Sequence, residues 1–222
     1  MATWATIKAE IENENDLAEE TFVDSAELLT YANEAVRDVE KEIHKLHDKY
    51  FAAEQNLTLV SGTDLYSLPS DIYANKINAL IYDDGADRYE IKPLKNLSDI
   101  PLIKPNDMYQ YRIVNTTSGG RKIKLYPASR VSDSTSLTIY YRRKVIPFAD
   151  DTTVLDIPEA QDFIKQYVSD KVSNKERLTP DAPESNALKR KRQLLLESLV
   201  QMIDDDNTEV NVDMSYYGEF SI

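Results

Sequence analysis

Near its N-terminus the chain repeats apolar residues every three or four positions, which is the period of an amphipathic helix. Trp4, Ile7 and Ile11 predict a short first helix. A longer helix is predicted to follow, and Asp24 with Glu27 three residues later is a plausible capping pair for its start. The apolar stripe of this long helix comprises Leu28, Ala32, Ala35, Val36, Val39, Ile43, Leu46 and Tyr50.

The same period returns towards the C-terminus and predicts two more helices. Pro158 stands at the first helical position of one, because proline is tolerated where no backbone N–H is needed. The other follows Pro183. The apolar face of the first comprises Phe163, Ile164, Tyr167, Val168 and Val172, and that of the second comprises Leu188, Leu195, Leu199 and either Met202 or Ile203.

Between these helical parts the pattern changes to short alternating runs separated by turn residues. Ser61-Gly62, Asp84-Gly85 and Gly119-Gly120 mark turns. Several short strands of this kind predict a small antiparallel sandwich or barrel. The fold class is therefore predicted as α+β, with a helical bundle from the N- and C-terminal helices and an inserted antiparallel β module.

The predicted domain organisation has four parts. Residues 1–55 hold the N-terminal helices of the helical body, and residues 56–150 form the antiparallel β module. Residues 151–204 return to the helical body, and residues 205–222 form an extended docking tail.

Charge changes this picture because it is unevenly placed along the chain. The net charge is −13. Residues 1–54 carry 14 acidic and five basic side chains, and residues 204–222 carry six acidic and no basic ones. A protein that binds duplex DNA needs a basic footprint, so this balance argues against that class. An acidic surface can still face DNA where DNA must slide past without sticking.

The composition excludes several kinds of chemistry. The chain has no cysteine, so disulfides, thiolate nucleophiles and cysteine metal sites are excluded. No stretch approaches the roughly 18 apolar residues of a membrane helix. The N-terminal stretch lacks the basic start and apolar run of a signal peptide, so we expect synthesis in the cytoplasm.

The two histidines are the first candidate metal ligands. His44 and His47 lie three residues apart on the long helix, with Glu40 and Asp48 nearby, a spacing that could in principle hold a metal. They also flank Leu46 on a charged helix. We therefore interpret them as part of a solvated face.

Acidic pairs are the second candidate. Asp83-Asp84, Asp150-Asp151 and the run from Asp204 to Asp206 could hold Mg²⁺ or supply a carboxylate dyad. Each lies at a predicted turn or helix end, where aspartate caps local backbone groups, and we interpret them as structural. The stretch 116–122 lacks the spacing of a phosphate-binding loop and is interpreted as a hairpin turn. No nucleophile and base can be paired in this sequence.

A basic run, "KRKR" at residues 189–192, is the most concentrated positive patch. Four successive helical positions point around most of the helix circumference, so a nucleic-acid site is not favoured. A solvated face or an acid-binding interface fits better. The acidic first helix of a neighbouring copy is one partner that such an interface would attract.

In the order of these features the chain resembles a known family. The residues that carry the likeness span about 3–175 and include the short Trp4 helix, "AELLTYANEAVRDVEKEI", "DLYSLPSDIYANKINALIYDDG", "YEIKPLKNLSDIP", "MYQYRIVNTTSGGRKIKLYPAS" and "SLTIYYRRKVIPFADDTTVLDIPEAQDFIKQYVSDK". This arrangement resembles the head-tail adaptor (connector) proteins of tailed bacteriophages, which form a ring below the portal. The tubular tail proteins of short-tailed phages belong to that group.

The resemblance implies a structural protein that is not an enzyme and has no cofactor. It implies a homo-oligomeric ring, commonly of twelve copies, whose helical part binds the phage portal protein and whose β part faces the tail or nozzle protein. DNA would pass through the channel without sequence-specific binding, and no membrane partner is implied. The protein would reside in the virion neck after synthesis in the host bacterial cytoplasm. Acidic residues in the stretch 10–20 would line or approach the channel.

The C-terminal tail is the predicted interface. Its apolar side chains are Val210, Val212, Met214, Tyr216, Tyr217, Phe220 and Ile222. The period-two start and the aromatic residues fit an extended peptide that adds to a sheet edge or fills a groove of another subunit. A disordered acidic tail is the alternative.

Two other functions stay open at this point. The chain could be another neck or tail-completion protein. It could also be a small enzyme or a monomeric ligand-binding module with its site on the β block. In the latter case the tyrosine-rich runs "MYQYRI" and "IYYRRK" would stack a sugar or a base.

Overall fold

The structure is a computed structural model that describes residues 2–15, 23–47, 49–104, 107–117, 120–127, 136–176 and 186–207. Contacts within the chain separate it into two compact units. The helical unit comprises Met1–His47 and Val145–Ile222, and the β unit comprises Asp48–Lys144. The helical unit is thus built from two separate stretches and the β unit from one. The predicted α+β class is confirmed.

The helical unit begins with α1, Trp4–Glu14, and α2, Ser25–Leu46. Asp24 caps α2 because its Oδ1 accepts the backbone N–H of Glu27 at 2.7 Å. Leu46 is 63% exposed at the last turn of α2, so the apolar stripe ends before the position that the periodicity predicts. The predicted stripe residues that are fully buried are Leu28, Ala32, Ala35, Val36, Val39 and Ile43.

The second stretch of the helical unit supplies α3, Gln161–Glu176, and α4, Asn186–Asn207. A 3-10 turn over Pro158–Ala160 leads into α3, and Pro158 occupies its first position as predicted. Helix α3 contacts α1, α2 and α4. On α4, Ile203 is buried whereas Met202 is half exposed, which decides between the two core candidates.

Polar side chains, the partly buried Asn33 and the buried Glu40, join the two stretches of the helical unit. Asn33 of α2 makes two hydrogen bonds of 2.9 Å with Phe148, accepting its backbone N–H and donating to its carbonyl oxygen. The buried Glu40 accepts the backbone N–H of Val145 at 2.8 Å. The rings of Trp4 and Phe148 lie 5.2 Å apart. These bonds satisfy backbone groups that would otherwise be buried without partners.

The β unit contains two four-stranded sheets, with strand orders β1-β8-β3-β4 and β2-β7-β6-β5. The pairs are antiparallel except for the parallel pair β5 and β6. The strands are β1 Ala52–Thr58, β2 Leu65–Ser67, β3 Ile72–Asp83, β4 Arg88–Glu90, β5 Lys92–Pro93, β6 Gln110–Thr116, β7 Gly120–Tyr126 and β8 Ser136–Arg143.

One apolar cluster takes residues from both sheets. Alternation decides which side chains enter it, because successive residues of a strand point to opposite faces. On β7, Ile123 and Leu125 are fully buried while Lys122 and Lys124 are not. The buried members are Leu59, Tyr66, Ile72, Leu80, Tyr82, Ile91, Tyr109, Ile123, Leu125, Leu137, Ile139 and Tyr141.

Strand β3 contains a bulge opposite β8. The pairing register shifts between Ile72 and Ile77. Within this interval Ala74 and Asn75 have φ values of 46° and 58°, in the left-handed region that side chains with a Cβ rarely adopt. The bulge therefore stores local backbone strain.

Candidate assembly interfaces

Residues 205–207 of the predicted docking tail are the end of helix α4, and the rest of the tail falls outside the described residues. This holds for each of its predicted interface residues, Val210, Val212, Met214, Tyr216, Tyr217, Phe220 and Ile222. Their role stays a prediction. Candidate interfaces must therefore be sought on the described surface.

The histidines do not form a solvated pair. His44 is buried, and its Nε2 lies 3.8 Å from Oε1 of Glu40, the carboxylate that accepts the N–H of Val145. His47, at the C-terminal cap of α2, is half-buried. The prediction of a solvated face is therefore wrong for His44, because the returning second stretch of the unit covers that side of α2. In the described ranges no group of three or more His, Cys, Asp or Glu residues is placed to hold a metal ion.

The acidic pair in the turn between β3 and β4 caps backbone groups. Asp84 accepts the N–H groups of Asp87 at 2.7 Å and Ala86 at 3.0 Å, and these bonds hold its pKa below the ordinary value. Asp83 accepts the N–H of Gly85 at 2.9 Å. The structural interpretation of this pair fits the geometry.

Asp150 has the same function in the helical unit. Its Oδ1 accepts the side-chain O–H of Thr152 at 2.7 Å and the backbone N–H of the same residue at 2.9 Å. Hydrogen bonds from the side chains of Thr152 and Thr153 lower the pKa of Asp150. The run from Asp204 to Asp206 belongs to α4, and its side chains lie outside the described part.

The stretch 116–122 is a hairpin, as predicted. Strands β6 and β7 pair directly around it, with Thr116 opposite Gly120, and the Thr116 hydroxyl donates to the Gly120 carbonyl oxygen at 2.9 Å. Residues 118 and 119 lie outside the described ranges. The basic run 189–192 lies on α4, where Arg190 is exposed and the other three side chains are not described.

The tyrosine-rich strands do not form an open stacking platform. Tyr109 is 1% exposed, and Tyr141 is buried in the same cluster. The hydroxyl of Tyr141 donates to Oδ1 of Asp71 at 2.9 Å, and burial together with this bond raises its pKa to about 12. Tyr111 packs against the cluster from its edge. The ligand-binding alternative thus loses most of the aromatic residues on which it depends.

An exposed apolar segment, which we define as residues 97–104 with 107 and 108, lies between β5 and β6 of the β unit. The 3-10 helix Leu97–Leu102 at its start has no buried residue. Leu97, Leu102 and Met108 are 62%, 74% and 67% exposed. Neighbouring backbone is fixed, because the N–H of Leu94 donates to the carbonyl oxygen of Tyr111 at 2.7 Å. Large apolar side chains clustered on a surface mark interaction sites, and the sequence pattern alone did not reveal this one.

A groove of about 330 Å³ lies in the helical unit, between the end of α2 and the middle of α4. Leu46, Leu196 and Val200 supply its apolar lining, and Glu42 and Glu197 also line it. An apolar groove between two helices is a second surface suited to a partner.

A basic face lies on the outer side of the second sheet. We define it as Arg112, Lys122 and Lys124, which project from the two central strands, opposite to the buried Ile123 and Leu125. It is part of a wider asymmetry. The β unit has 11 acidic and 14 basic residues, a net charge of +3, whereas the helical unit has 28 acidic and 12 basic residues, a net charge of −16.

A comparison with known protein families relates the chain to proteins of known role. Residues 2–209 match the family described as SU10 adaptor protein. The chain belongs to the SU10 adaptor protein family. This confirms the predicted relationship to the head-tail adaptors of phages and their structural role as adaptors.

The adaptor is also similar to a chain of a solved structure, "Neck of empty GTA particle computed with C6 symmetry". The identity is 14%, the match covers 90% of the adaptor and 92% of that chain, and the TM-score is 0.32. No curated protein matches the adaptor. Among the residues that the structure describes, no helix of the adaptor combines the length and apolarity needed to cross a bilayer.

Proposed function

We propose that this adaptor forms a ring, commonly of twelve copies, that joins the portal of a tailed bacteriophage to its tail. The ring surrounds the DNA exit channel in the virion neck, and the chain acts without enzymatic activity or a cofactor after synthesis in the host bacterial cytoplasm. The observation that carries this proposal is the exposed apolar segment. A family member whose role is structural presents three large apolar side chains to solvent at residues 97, 102 and 108.

The proposed architecture assigns one face of the ring to each unit. The helices form a bundle that binds the portal, and the two sheets form a sandwich that faces the tail or nozzle protein. The shared apolar cluster of the two sheets supports the sandwich arrangement. The sequence predicts residues 1–55 and 151–204 for the bundle, residues 56–150 for the β module and residues 205–222 for a docking tail. Because β1 begins at Ala52 and the β unit ends at Lys144, the proposal takes its boundaries from the two compact units.

The apolar segment gives the tail-facing side its binding energy. Burial of a leucine or methionine side chain contributes about 1.5–3 kcal/mol. Leu97, Leu102 and Met108 leave most of that free energy unused in the single chain. A partner that covers all three would thus gain several kcal/mol before other contacts are formed.

The acidic helical unit is proposed to approach the DNA, which passes through without sequence-specific binding. Repulsion between carboxylates and phosphates lowers adhesion in a channel. Lysines of the same unit partly neutralise the proposed stretch 10–20, since Glu10 pairs with Lys165 at 3.2 Å and Glu12 with Lys8 at 4.0 Å. Glu14 has no such lysine within the described residues. Reversal of these acids is expected to slow DNA ejection or to retain DNA on purified rings, and unchanged behaviour in both assays would exclude the channel role.

The ring proposal is tested by mixing the purified chain with portal protein and imaging the complex by negative stain. Rings on the portal are expected. The triple variant L97E/L102E/M108E is expected to keep portal binding and to lose the tail or nozzle protein. A matched control is Val60→Glu, which changes another half-exposed apolar residue of the β unit outside the segment. Loss of tail attachment in the control, or its retention in the triple variant, would exclude the apolar segment as the tail interface.

The C-terminal tail is tested separately. Deletion of residues 210–222 is expected to leave the two units folded and to abolish attachment to the portal or to a neighbour. Circular dichroism checks the fold, and co-sedimentation with portal checks attachment. A truncated chain that still docks normally would show that the tail is dispensable.

A further inference from the structure

We propose that the basic face of the β unit binds the Asp150-Asp151 turn on the helical unit of a second copy. The inference rests on the proposed ring and identifies the surface through which neighbouring copies meet. It commits to one occupant of an unpartnered sheet face, another copy of this chain, because the two surfaces carry opposite charge.

The basic side of the contact is a rigid sheet surface. Arg112 pairs in register with Lys124 of β7. Lys122 lies two residues before Lys124, with the inward-facing Ile123 between them, so all three side chains share the outer face. Lys124 is partly neutralised, since its Nζ lies 3.2 Å from Oδ2 of Asp64. Within the described residues, neither Arg112 nor Lys122 has a carboxylate within 4 Å. Two cations on fixed strands are therefore available to a partner.

The acidic side must lie on the helical unit, which holds the excess of carboxylates. Many of its acids already pair with lysines of that unit, as Glu34 does with Lys171 at 3.1 Å. Asp150 and Asp151 are both exposed, and no lysine or arginine of the described ranges lies within 4 Å of either. The turn is also fixed in place, because the carbonyl oxygen of Asp151 accepts the N–H of Ala5 at 3.0 Å. Two anions are thus held on a rigid turn.

The geometry of such a contact predicts its symmetry. The basic face and the acidic turn are different surfaces of one chain, so the contact is head-to-tail and each copy uses both surfaces. A head-to-tail contact closes into a ring when its rotation closes, whereas a two-fold dimer needs a self-complementary patch. The charge distribution therefore favours the kind of assembly that the adaptor role requires.

DNA is the other anion that a basic face could bind. Non-specific DNA binding depends on the release of counterions from many phosphate contacts. The face has three cations, and one of them is already paired with Asp64. The whole chain carries a net charge of −13, which repels DNA at longer range. A second copy is thus the better-matched partner, and DNA becomes an outcome of the test.

The first experiment measures self-association of the full chain at low salt by sedimentation velocity, with and without portal. The variants R112E/K122E and D151K are each expected to weaken association about 10-fold or more, because like charges then face each other. A chain that carries all three substitutions is expected to recover part of the loss, since the substituted positions again carry opposite charges, whereas Lys124 and Asp150 keep their native signs. The control K76E/K95E makes the same charge change at exposed lysines of the β unit outside the face.

The second experiment uses the absence of native cysteine. A K122C chain mixed with a D151C chain is expected to form an interchain disulfide under mild oxidation. A K95C chain mixed with D151C is expected to remain reduced. Thermal melting of every variant checks that the units are folded, so that lost association is not lost structure.

The outcomes separate this inference from the ring proposal. If wild-type chains form rings and R112E/K122E forms them equally well, the contact is wrong and the adaptor ring stands. If wild-type chains neither associate nor bind portal, the ring proposal itself falls. If R112E/K122E lowers affinity for duplex DNA and leaves self-association unchanged, the basic face binds DNA instead of a second copy and the inference is overturned.

Discussion

The two units of this adaptor are stabilised by different kinds of residue. The β unit has one apolar cluster that takes residues from both sheets, and alternation decides which side chains of the strands enter it. The helical unit comes from two stretches separated in sequence, and polar side chains such as Asn33 and Glu40 join them. The helical unit is also strongly acidic, whereas the β unit is slightly basic.

This difference teaches where each unit is vulnerable. In the β unit the stabilising free energy is spread over many interchangeable apolar contacts, and volume matters more than identity. In the helical unit a few side chains satisfy particular backbone groups, and a change of one atom leaves a buried group without a partner. The following substitutions test that contrast, in order of decreasing effect.

Truncation of a large core residue in each unit has the largest expected effect. Trp4→Ala removes a side chain that is 2% exposed and packs on Phe148, and we expect a loss of about 3–5 kcal/mol. Leu80→Ala in the β unit is expected to cost about 2–5 kcal/mol. Hydrogen exchange with urea unfolding measures both. Because Trp4 is the only tryptophan, its fluorescence reports the helical unit in the Leu80→Ala variant. Equal loss of protection in both units for both variants would contradict their separate cores.

Removal of the polar join is expected to cost less. Asn33→Ala leaves the N–H and carbonyl groups of Phe148 without their partners, at about 1–3 kcal/mol for each buried group. The matched control is Asn56→Ala in the β unit, which removes an exposed bond from the Thr138 hydroxyl. Surface changes of that kind stay within about 0.5 kcal/mol. Similar costs for both variants, measured by urea unfolding, would remove the contrast between the units.

Alkaline pH is expected to affect each of the two units most strongly through one tyrosine. Burial and a hydrogen bond to Glu27 raise the pKa of Tyr31 to about 12, and Tyr141 has the same value beside Asp71. Both lie above the ordinary pKa of 10, so the folded chain holds these protons more tightly. The resulting stability is complete below pH 10 and is lost as pH rises to about 12.

Single phenylalanine variants separate the two effects. Tyr31→Phe is expected to remove much of the alkaline sensitivity of the helical unit, and Tyr141→Phe much of that of the β unit. The rest comes from Tyr167 and Tyr111, whose pKa values burial also raises. Absorbance of the phenolate and melting temperature against pH are the measurements. A titration near pH 10 for Tyr31 or Tyr141 would contradict its hydrogen bond to the carboxylate.

Relief of strain in the β unit has the smallest expected effect, and it is stabilising. Glycine accepts the φ of 46° at position 74 without steric cost, so Ala74→Gly is expected to gain about 0.5–1 kcal/mol. Ala52→Gly in β1, an exposed position whose strand pairs with β8 in an unbroken register, is expected to lose a similar amount. Denaturant midpoints measure both. A destabilised Ala74→Gly variant would mean that the side chain contributes more than the strain costs.

Much of the fold could be predicted from the sequence, because period and capping are local properties. The cap at Asp24, the buried face of α1 and the proline entry to α3 all follow from short-range rules. The wrong predictions concern residues whose burial depends on a second element of the fold. Leu46 continues the apolar stripe in the sequence but is 63% exposed in the structure. His44 is buried, because the second stretch of the helical unit covers that side of α2.

The candidate interfaces were harder to predict for the same reason. Leu97 and Leu102 show neither helical nor strand period, and only the structure shows that no element in the described ranges covers them. The basic face does not show as a run of charged residues in the sequence, because its members come from two strands and alternate with core residues such as Ile123. The tail predicted as the interface, residues 208–222, lies outside the described ranges and stays a prediction.

The order of synthesis follows from the split composition of the helical unit. Its first stretch ends at His47, but the backbone groups that Asn33 and Glu40 bind belong to Phe148 and Val145. A ribosome that adds about 5–20 residues per second needs roughly 5–20 s to make the intervening β unit. That unit is contiguous and can complete its own core first. The early helices cannot complete their packing until Val145 and Phe148 have been made, so the helical unit is completed after the β unit.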